Sequence, residues 1–220
     1  MIKAAIFDLD GTLSYTLDSI AISGNKALED IGFAPFEKDR YKYFVGDGAV
    51  ELVKRLLIAS GDEELAHFED LKAKYMDYFS KYADYKVAPY EGVPEVLEQL
   101  KTAGLKLAVL SNKPHAQTIE VVHKLYGTDL FEHIQGNVPE IKRKPSSDGA
   151  FLVADTLNVK PEECLYIGDT ATDMQTGNGA RMHTIGVLWG YRDRQELEES
   201  NAEYIICNPC EVIDVYNNFE

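Results

Sequence analysis

Two carboxylates stand two residues apart at the end of the first apolar run, Ala4-Ala5-Ile6-Phe7-Asp8-Leu9-Asp10-Gly11-Thr12-Leu13. A run this short, closed by glycine, reads as a buried strand rather than a helix. Residues two apart on a strand share a face, so extended backbone would hold Asp8 and Asp10 close together. In open α/β sheets ligands bind at the C-terminal ends of the strands, which is where this pair lies. Two anions on a buried element are costly unless a cation or a proton sits between them.

The rest of the chain supplies groups that could meet that need. Ser111 and Asn112 follow an apolar run, Lys144 precedes Pro145, and Asp169 and Asp173 follow another apolar run. Several carboxylates with few histidines favour a hard cation, and Mg²⁺ with oxygen ligands fits best. A metal, a lysine and a hydroxyl converging on one point would cradle a phosphoryl group. Asp8 could then attack phosphorus, and Asp10 could exchange protons with the leaving oxygen and with water. Carboxylate and phosphate about 4 Å apart repel by roughly 4 kcal/mol at an effective dielectric near 20, about a thousandfold in rate. The cation and Lys144 are therefore requirements of that chemistry.

The spacing of apolar residues predicts the elements that position these groups. Leu17, Ile20, Ala21, Gly24, Leu28 and Ile31 form one helical stripe, Leu52, Val53, Leu56 and Leu57 a second, and Leu65 through Tyr82 a third. Residues 15–85 thus read as an all-helical insert with no strand. From Tyr90 onward strands alternate with helices: strands at 105–110, 133–136, 164–167, 183–188 and 204–206, and helices after Pro94, His115 and Lys144. Alternation of this kind predicts a Rossmann-like parallel sheet with helices on both faces. The predicted core is discontinuous, residues 1–14 and 86–220, with the helical insert as a second domain.

Bulk properties narrow the partners. The 220 residues are 45% hydrophobic and 27% charged with a net charge of −15, which argues against a nucleic-acid or anionic-membrane surface. An anionic small molecule is still compatible, because a metal and one or two lysines can reverse the field locally. Three cysteines suggest reduced thiols; Cys207 and Cys210 lack two further ligands for zinc, and Cys164 is remote. No leader segment and no membrane-length apolar run is visible, so a cytoplasmic protein is expected.

Taken together, Asp8-Leu9-Asp10-Gly11-Thr12, Ser111, Lys144 and Gly168-Asp169-Thr170 through Asp173 resemble, in order, the four motifs of the haloacid dehalogenase-type phosphatases. The resemblance covers nearly the whole chain. It implies that Asp8 is the nucleophile and Asp10 the acid/base. It also implies that Asp8, the backbone carbonyl of Asp10 and Asp169 bind Mg²⁺, with Asp173 in the outer shell. Gly11, Thr12, Ser111, Asn112 and Lys144 would hold the phosphoryl group of a small phosphorylated metabolite. Val45-Gly46-Asp47-Gly48, Leu52-Val53-Lys54-Arg55, Pro89-Tyr90-Glu91-Gly92-Val93, Ser111-Asn112-Lys113-Pro114 and Trp189-Gly190-Tyr191 resemble phosphoglycolate phosphatase-like members with a helical cap. Ser14-Tyr15-Thr16 and Lys144-Pro145-Ser146-Ser147 depart from that pattern, which bears on the substrate. Arg55 could reach a substrate carboxylate or simply face solvent on an amphipathic helix. Asp169 and Asp173 could cap a helix as well as bind metal. The five histidines show no ligand spacing. A phosphosugar mutase of the same fold and a non-catalytic phosphate-ligand binding protein are the alternatives, and one sequence does not fix the oligomeric state.

Overall fold

A computed structural model describes residues 1–219. In chain order it begins with strands β1 (Ala4–Phe7) and β2 (Ser14–Tyr15), followed by helices α1 (Leu17–Asp30), α2 (Gly48–Ala59) and α3 (Phe68–Tyr82). Then come β3 (Ala88–Pro89), α4 (Val93–Thr102), β4 (Lys106–Pro114), α5 (His115–Tyr126), β5 (His133–Asn137) and α6 (Asp148–Thr156). The chain continues through β6 (Cys164–Gly168), α7 (Ala171–Ala180), β7 (His183–Val187), α8 (Arg194–Glu199), β8 (Tyr204–Ile206) and α9 (Glu211–Asn217). Two compact units result: Met1–Tyr15 with Ala88–Glu220, and Thr16–Val87.

The first unit is the α/β fold that the alternation predicts. Six parallel strands lie in the order β5-β4-β1-β6-β7-β8. Parallel strands buried on both faces read as unbroken apolar runs, and all four residues of β1 are buried. Ala4 to Phe7 pair with Lys106 to Val109 on one side and with Cys164 to Ile167 on the other. The chain builds outward from β1 to β5, then returns to β6 on the opposite side. The topological switch therefore falls at β1, and Asp8 lies just beyond its C-terminal end, the position where open α/β sheets bind ligands.

The second unit is helical among its described residues. α1 buries Leu17, Ile20, Ala21, Ala27 and Leu28; α2 buries Leu52, Val53, Leu56 and Leu57; α3 buries Leu71, Tyr75 and Phe79. A 3₁₀ stretch over Lys38–Tyr43 stands where the sequence suggests only a linker. It is pinned by Tyr41, whose buried hydroxyl donates to Asn25 Oδ1 at 2.9 Å.

Several boundaries differ from the sequence expectation for local reasons. Tyr15 belongs to β2, paired antiparallel with β3, and not to a strand-free insert. Leu65 has a positive φ of 56°, which ends any helix there, so α3 starts at Phe68. β4 runs on through Ser111, Asn112 and Lys113 because its pairing with β5 shifts register between Leu110 and Pro114. The helix after Lys144 begins only at Asp148, and Phe151 faces outward at 43% exposure. No helix among the described residues is long and apolar enough to cross a membrane.

Candidate active site

The site is assembled at the C-terminal edge of β1, β4 and β6. Asp8 follows β1 directly, with its N–H donating to the Ile167 carbonyl at 2.9 Å, so the ladder with β6 holds its backbone in place. Its Oδ1 accepts from Lys144 Nζ at 2.8 Å. The same ammonium donates to Asp173 Oδ1 at 2.7 Å and to the Leu110 carbonyl at 3.1 Å. All three protons of Lys144 thereby have acceptors. The other oxygen of Asp173 accepts from Thr170 N–H at 3.1 Å and Thr170 Oγ1 at 2.7 Å, the reciprocal cap that opens α7. Asp173 is thus a helix cap and an anchor for Lys144 at once.

Asp169 completes an acidic cluster. Ligand atoms of Asp8, Asp169 and Asp173 all lie within 4.8 Å of one another, and all three residues are buried. Asp169 Oδ2 accepts from the Tyr191 N–H at 2.7 Å, and its Oδ1 from Thr12 Oγ1 at 3.3 Å. Trp189 Nε1 donates to the Thr12 carbonyl at 3.0 Å, which ties the loop after β7 to the turn after β1. Gly11, at φ 95°, and Gly190 both press against Asp169: a Cβ on either would overlap its side chain.

The electrostatics of the cluster are unbalanced. Burial, with Asp173 beside it, pushes the Asp8 carboxyl up to about 7 against the pull of Lys144. Burial followed by Asp173 and Asp8 drives Asp169 well above the usual carboxylate range. Burial alone would lower Lys144, yet Asp173 and Asp8 hold it well above its ordinary value. One ammonium among three buried carboxylates leaves room for more positive charge, and an all-oxygen donor set suits a hard divalent cation.

The residues on β4 and in the loop before α6 meet at Lys144. Asn112 clamps the Lys144 backbone, donating from Nδ2 to its carbonyl at 3.0 Å and accepting its N–H at Oδ1 at 2.9 Å. The Ser111 hydroxyl accepts from the Lys113 N–H at 3.2 Å, leaving its own proton for another acceptor. Gly11 N–H donates to the Ser14 carbonyl at 3.0 Å. The Asp10 carboxylate is not among the three clustered acids. Its Oδ1 lies 2.8 Å from the ammonium of Lys113. Sequence reasoning assigns no role to Lys113, and none to Gly190 or the Tyr191 N–H individually. Their spacing from the other motifs carries no chemical signature by itself.

Arg55 sits in the helical unit and is engaged there. Its guanidinium pairs with the Asp47 carboxylate and donates from Nη1 to the Phe44 carbonyl at 3.0 Å. It therefore fastens α2 to the turn Phe44-Val45-Gly46-Asp47-Gly48. The three cysteines are free, Cys164 buried and Cys207 and Cys210 exposed.

These features define a class: α/β enzymes that gather carboxylates and a lysine where parallel strands end. The family model of haloacid dehalogenase-like hydrolases matches residues 5–187. A phosphoglycolate phosphatase of Psychrobacter arcticus is 31% identical over 201 residues, covering 89% of this chain and 87% of that protein. One from Aquifex aeolicus is 29% identical over 216 residues, covering 98% and 97%. A crystal structure assigned as a phosphoglycolate phosphatase, from Lactobacillus delbrueckii subsp. bulgaricus, superposes with a TM-score of 0.90 at 29% identity and covers 97% of both chains. The chain belongs to the haloacid dehalogenase-like hydrolase family. It is a phosphatase-type hydrolase, phosphoglycolate phosphatase-like over most of its length.

Proposed function

We propose that this protein is a Mg²⁺-dependent cytoplasmic phosphatase that hydrolyses a small phosphate monoester of the phosphoglycolate type through an aspartyl-phosphate on Asp8. The observation that carries the reading is the Asp8–Lys144–Asp173 ion-pair chain beside Asp169, at the switch point of the sheet. Asp8, Asp169 and the backbone carbonyl of Asp10 are the groups we assign to Mg²⁺, with Asp173 behind them. When bound, the ion supplies positive charge that keeps Asp8 ionised and offsets its repulsion from the phosphate.

The chain's own residues do the rest. An Asp8 carboxylate oxygen attacks phosphorus as the ester P–O bond breaks, and the leaving oxygen takes a proton from Asp10. Water then attacks the acyl phosphate and gives a proton back to Asp10. The P–O bond to Asp8 breaks, which restores the carboxylate and frees inorganic phosphate. The Ser111 hydroxyl donates to a phosphoryl oxygen, and Lys144 exchanges its bond to Asp8 for one to a second phosphoryl oxygen as Asp8 attacks. Asn112 fixes the backbone from which Lys144 reaches, and the side chain of Thr12 steadies Asp169. We assign the helical unit the role of a cap that excludes water during turnover. In it Arg55 serves as the anchor of the 44–48 turn.

Phosphate release from a panel of small esters, with Mg²⁺ and then with a chelator, tests the proposal. Mg²⁺-dependent release peaking on phosphoglycolate is expected, and Asp8→Asn should lower it by at least about 10³-fold with the fold intact. An isomerised sugar phosphate in place of free phosphate would point to a mutase. No release and near-wild-type binding without metal would point to a binding protein.

A further inference from the structure

Lys113 is a buried lysine that the chemistry above does not use. Its side chain is 1% exposed, and its ammonium lies 2.8 Å from Asp10 Oδ1, a carboxylate that is itself 19% exposed. The backbone is fastened on both sides: the N–H donates to Ser111 Oγ, and the carbonyl accepts from the buried Thr118 hydroxyl of α5 at 3.1 Å. Lys113 lies in the stretch of β4 where register shifts, and its side chain meets Asp10, just past the end of β1, rather than solvent. A buried ammonium is costly without a partner, so a lysine anchored this firmly is not a surface residue snorkelling to water.

The two acids of the first motif therefore have separate counter-ions. Asp8 shares Lys144 with Asp173, whereas Asp10 pairs with Lys113. Without that pairing, Asp10 would have no opposite charge to set its direction beside the anionic cluster. We propose that Lys113 is a positioning residue for Asp10, holding its carboxylate toward β4 and away from Asp8, Asp169 and Asp173. This inference rests on the reading of Asp10 as the group that exchanges protons with the leaving oxygen.

The test compares two esters in the holoenzyme with Mg²⁺ present: an alkyl phosphate, whose leaving oxygen needs a proton, and 4-nitrophenyl phosphate, whose leaving group does not. General acid catalysis contributes about 10²–10⁴-fold, so a misdirected Asp10 should register strongly on the first ester alone. Lys113→Met is expected to lower kcat/KM for the alkyl ester by about 30-fold or more, and for 4-nitrophenyl phosphate by less than about threefold. Asp10→Asn combined with Lys113→Met should be no slower on the alkyl ester than Asp10→Asn alone, because a residue acting only through Asp10 adds nothing once Asp10 is disabled. Equal losses on both esters, or losses that multiply in the double variant, would overturn the proposal. If Lys113→Met fails to fold, the double variant should recover the fold, since Asp10→Asn removes the unpaired charge; continued misfolding would make Lys113 purely structural. The underlying reading fails separately, if Asp10→Asn alone keeps its alkyl-ester turnover.

Discussion

Replacing Tyr166 by phenylalanine should stabilise the protein, and the structure says by how much. Tyr166 lies on β6 in the core with no exposed surface, and its hydroxyl is the one buried side-chain polar atom among the described residues without a hydrogen-bond partner. Burial pushes the phenol well above its ordinary pKa, so it stays neutral. Lys144 is close enough to pull the phenol down, against the burial, by its charge and a side-chain hydrogen-bonding contribution. Its three protons already have acceptors in Asp8, Asp173 and the Leu110 carbonyl, however, and no hydrogen bond of ordinary geometry reaches the hydroxyl. An unsatisfied buried hydroxyl costs about 1–3 kcal/mol. Phenylalanine removes that cost and keeps the ring, which packs against Gly177 of α7 so tightly that a Cβ there would come within 3.0 Å of Tyr166 Cβ. After allowing for the dispersion contacts of the lost oxygen, the net gain is about 1–2 kcal/mol, or roughly 2–8 °C in Tm for a chain of this size. Differential scanning calorimetry of both forms without metal measures it, and steady-state phosphate release should stay within about twofold. A lower Tm, or a tenfold loss of turnover, would refute the reasoning, since either would mean that the hydroxyl supports Lys144 after all.

Two further perturbations bear on Asp169. Gly190→Ala should lower Mg²⁺-supported turnover by at least about tenfold, because the added Cβ overlaps the Asp169 side chain and comes 2.5 Å from the Gly11 carbonyl, and neither is free to retreat. A Mg²⁺ titration of kcat checks it, and a wild-type curve would exclude the steric argument. Asp169→Asn should leave the metal-free protein as stable as the parent or more so: the folded-state pKa of Asp169 is raised, so its ionised form opposes folding as pH rises. The same variant should lose the Mg²⁺-induced rise in stability, about 2.7 kcal/mol at a hundredfold excess over Kd in the parent. Thermal melts with and without Mg²⁺ measure both effects, and an undiminished metal-induced shift would remove Asp169 from the ligand set.

The parts of this protein that are legible in its sequence are those where chemistry dictates residue type. Asp8, Lys144 and Asp169 announce themselves because a carboxylate or a lysine at the end of an apolar run is costly to bury unless it meets an opposite charge or a ligand. The parallel sheet follows from the alternation around them. The parts that stay hidden depend on approach in space. Lys113 stands in a polar tetrad with no chemical signature of its own until its ammonium is seen 2.8 Å from Asp10. Gly190 carries no signal of its own in the sequence until its backbone is seen against Asp169. Arg55 has the type of a ligand-binding arginine, and its pairing with Asp47, eight residues earlier, is a contact in space that helical periodicity does not signal. The helices α8 and α9, of six and seven residues, are too short for a period to emerge.

The charges at the site make a final argument for why the chemistry needs each of these groups. Among the described residues, Asp8, Asp10, Asp169 and Asp173 are met by only two ammonium groups, those of Lys113 and Lys144. The lysines are not interchangeable: each is tied to its own acid of the first motif, and Lys144 is braced further by Asp173 and by the Asn112 clamp on its backbone. With all four acids ionised, negative charge exceeds these two ammonium groups, and the Arg192 guanidinium, itself paired with Glu196, only partly offsets the excess at Asp169, on a chain whose net charge is already −15. The raised values at Asp8 and Asp169 register that deficit as protons the folded chain prefers to keep. On the proposed function, a divalent cation held by Asp8 and Asp169 would offset that deficit and favour the ionised, nucleophilic form of Asp8, with Lys144 facing the phosphoryl group and Lys113 holding Asp10 apart. On this reading the excess of acid over base is the feature that makes metal binding and catalysis one event.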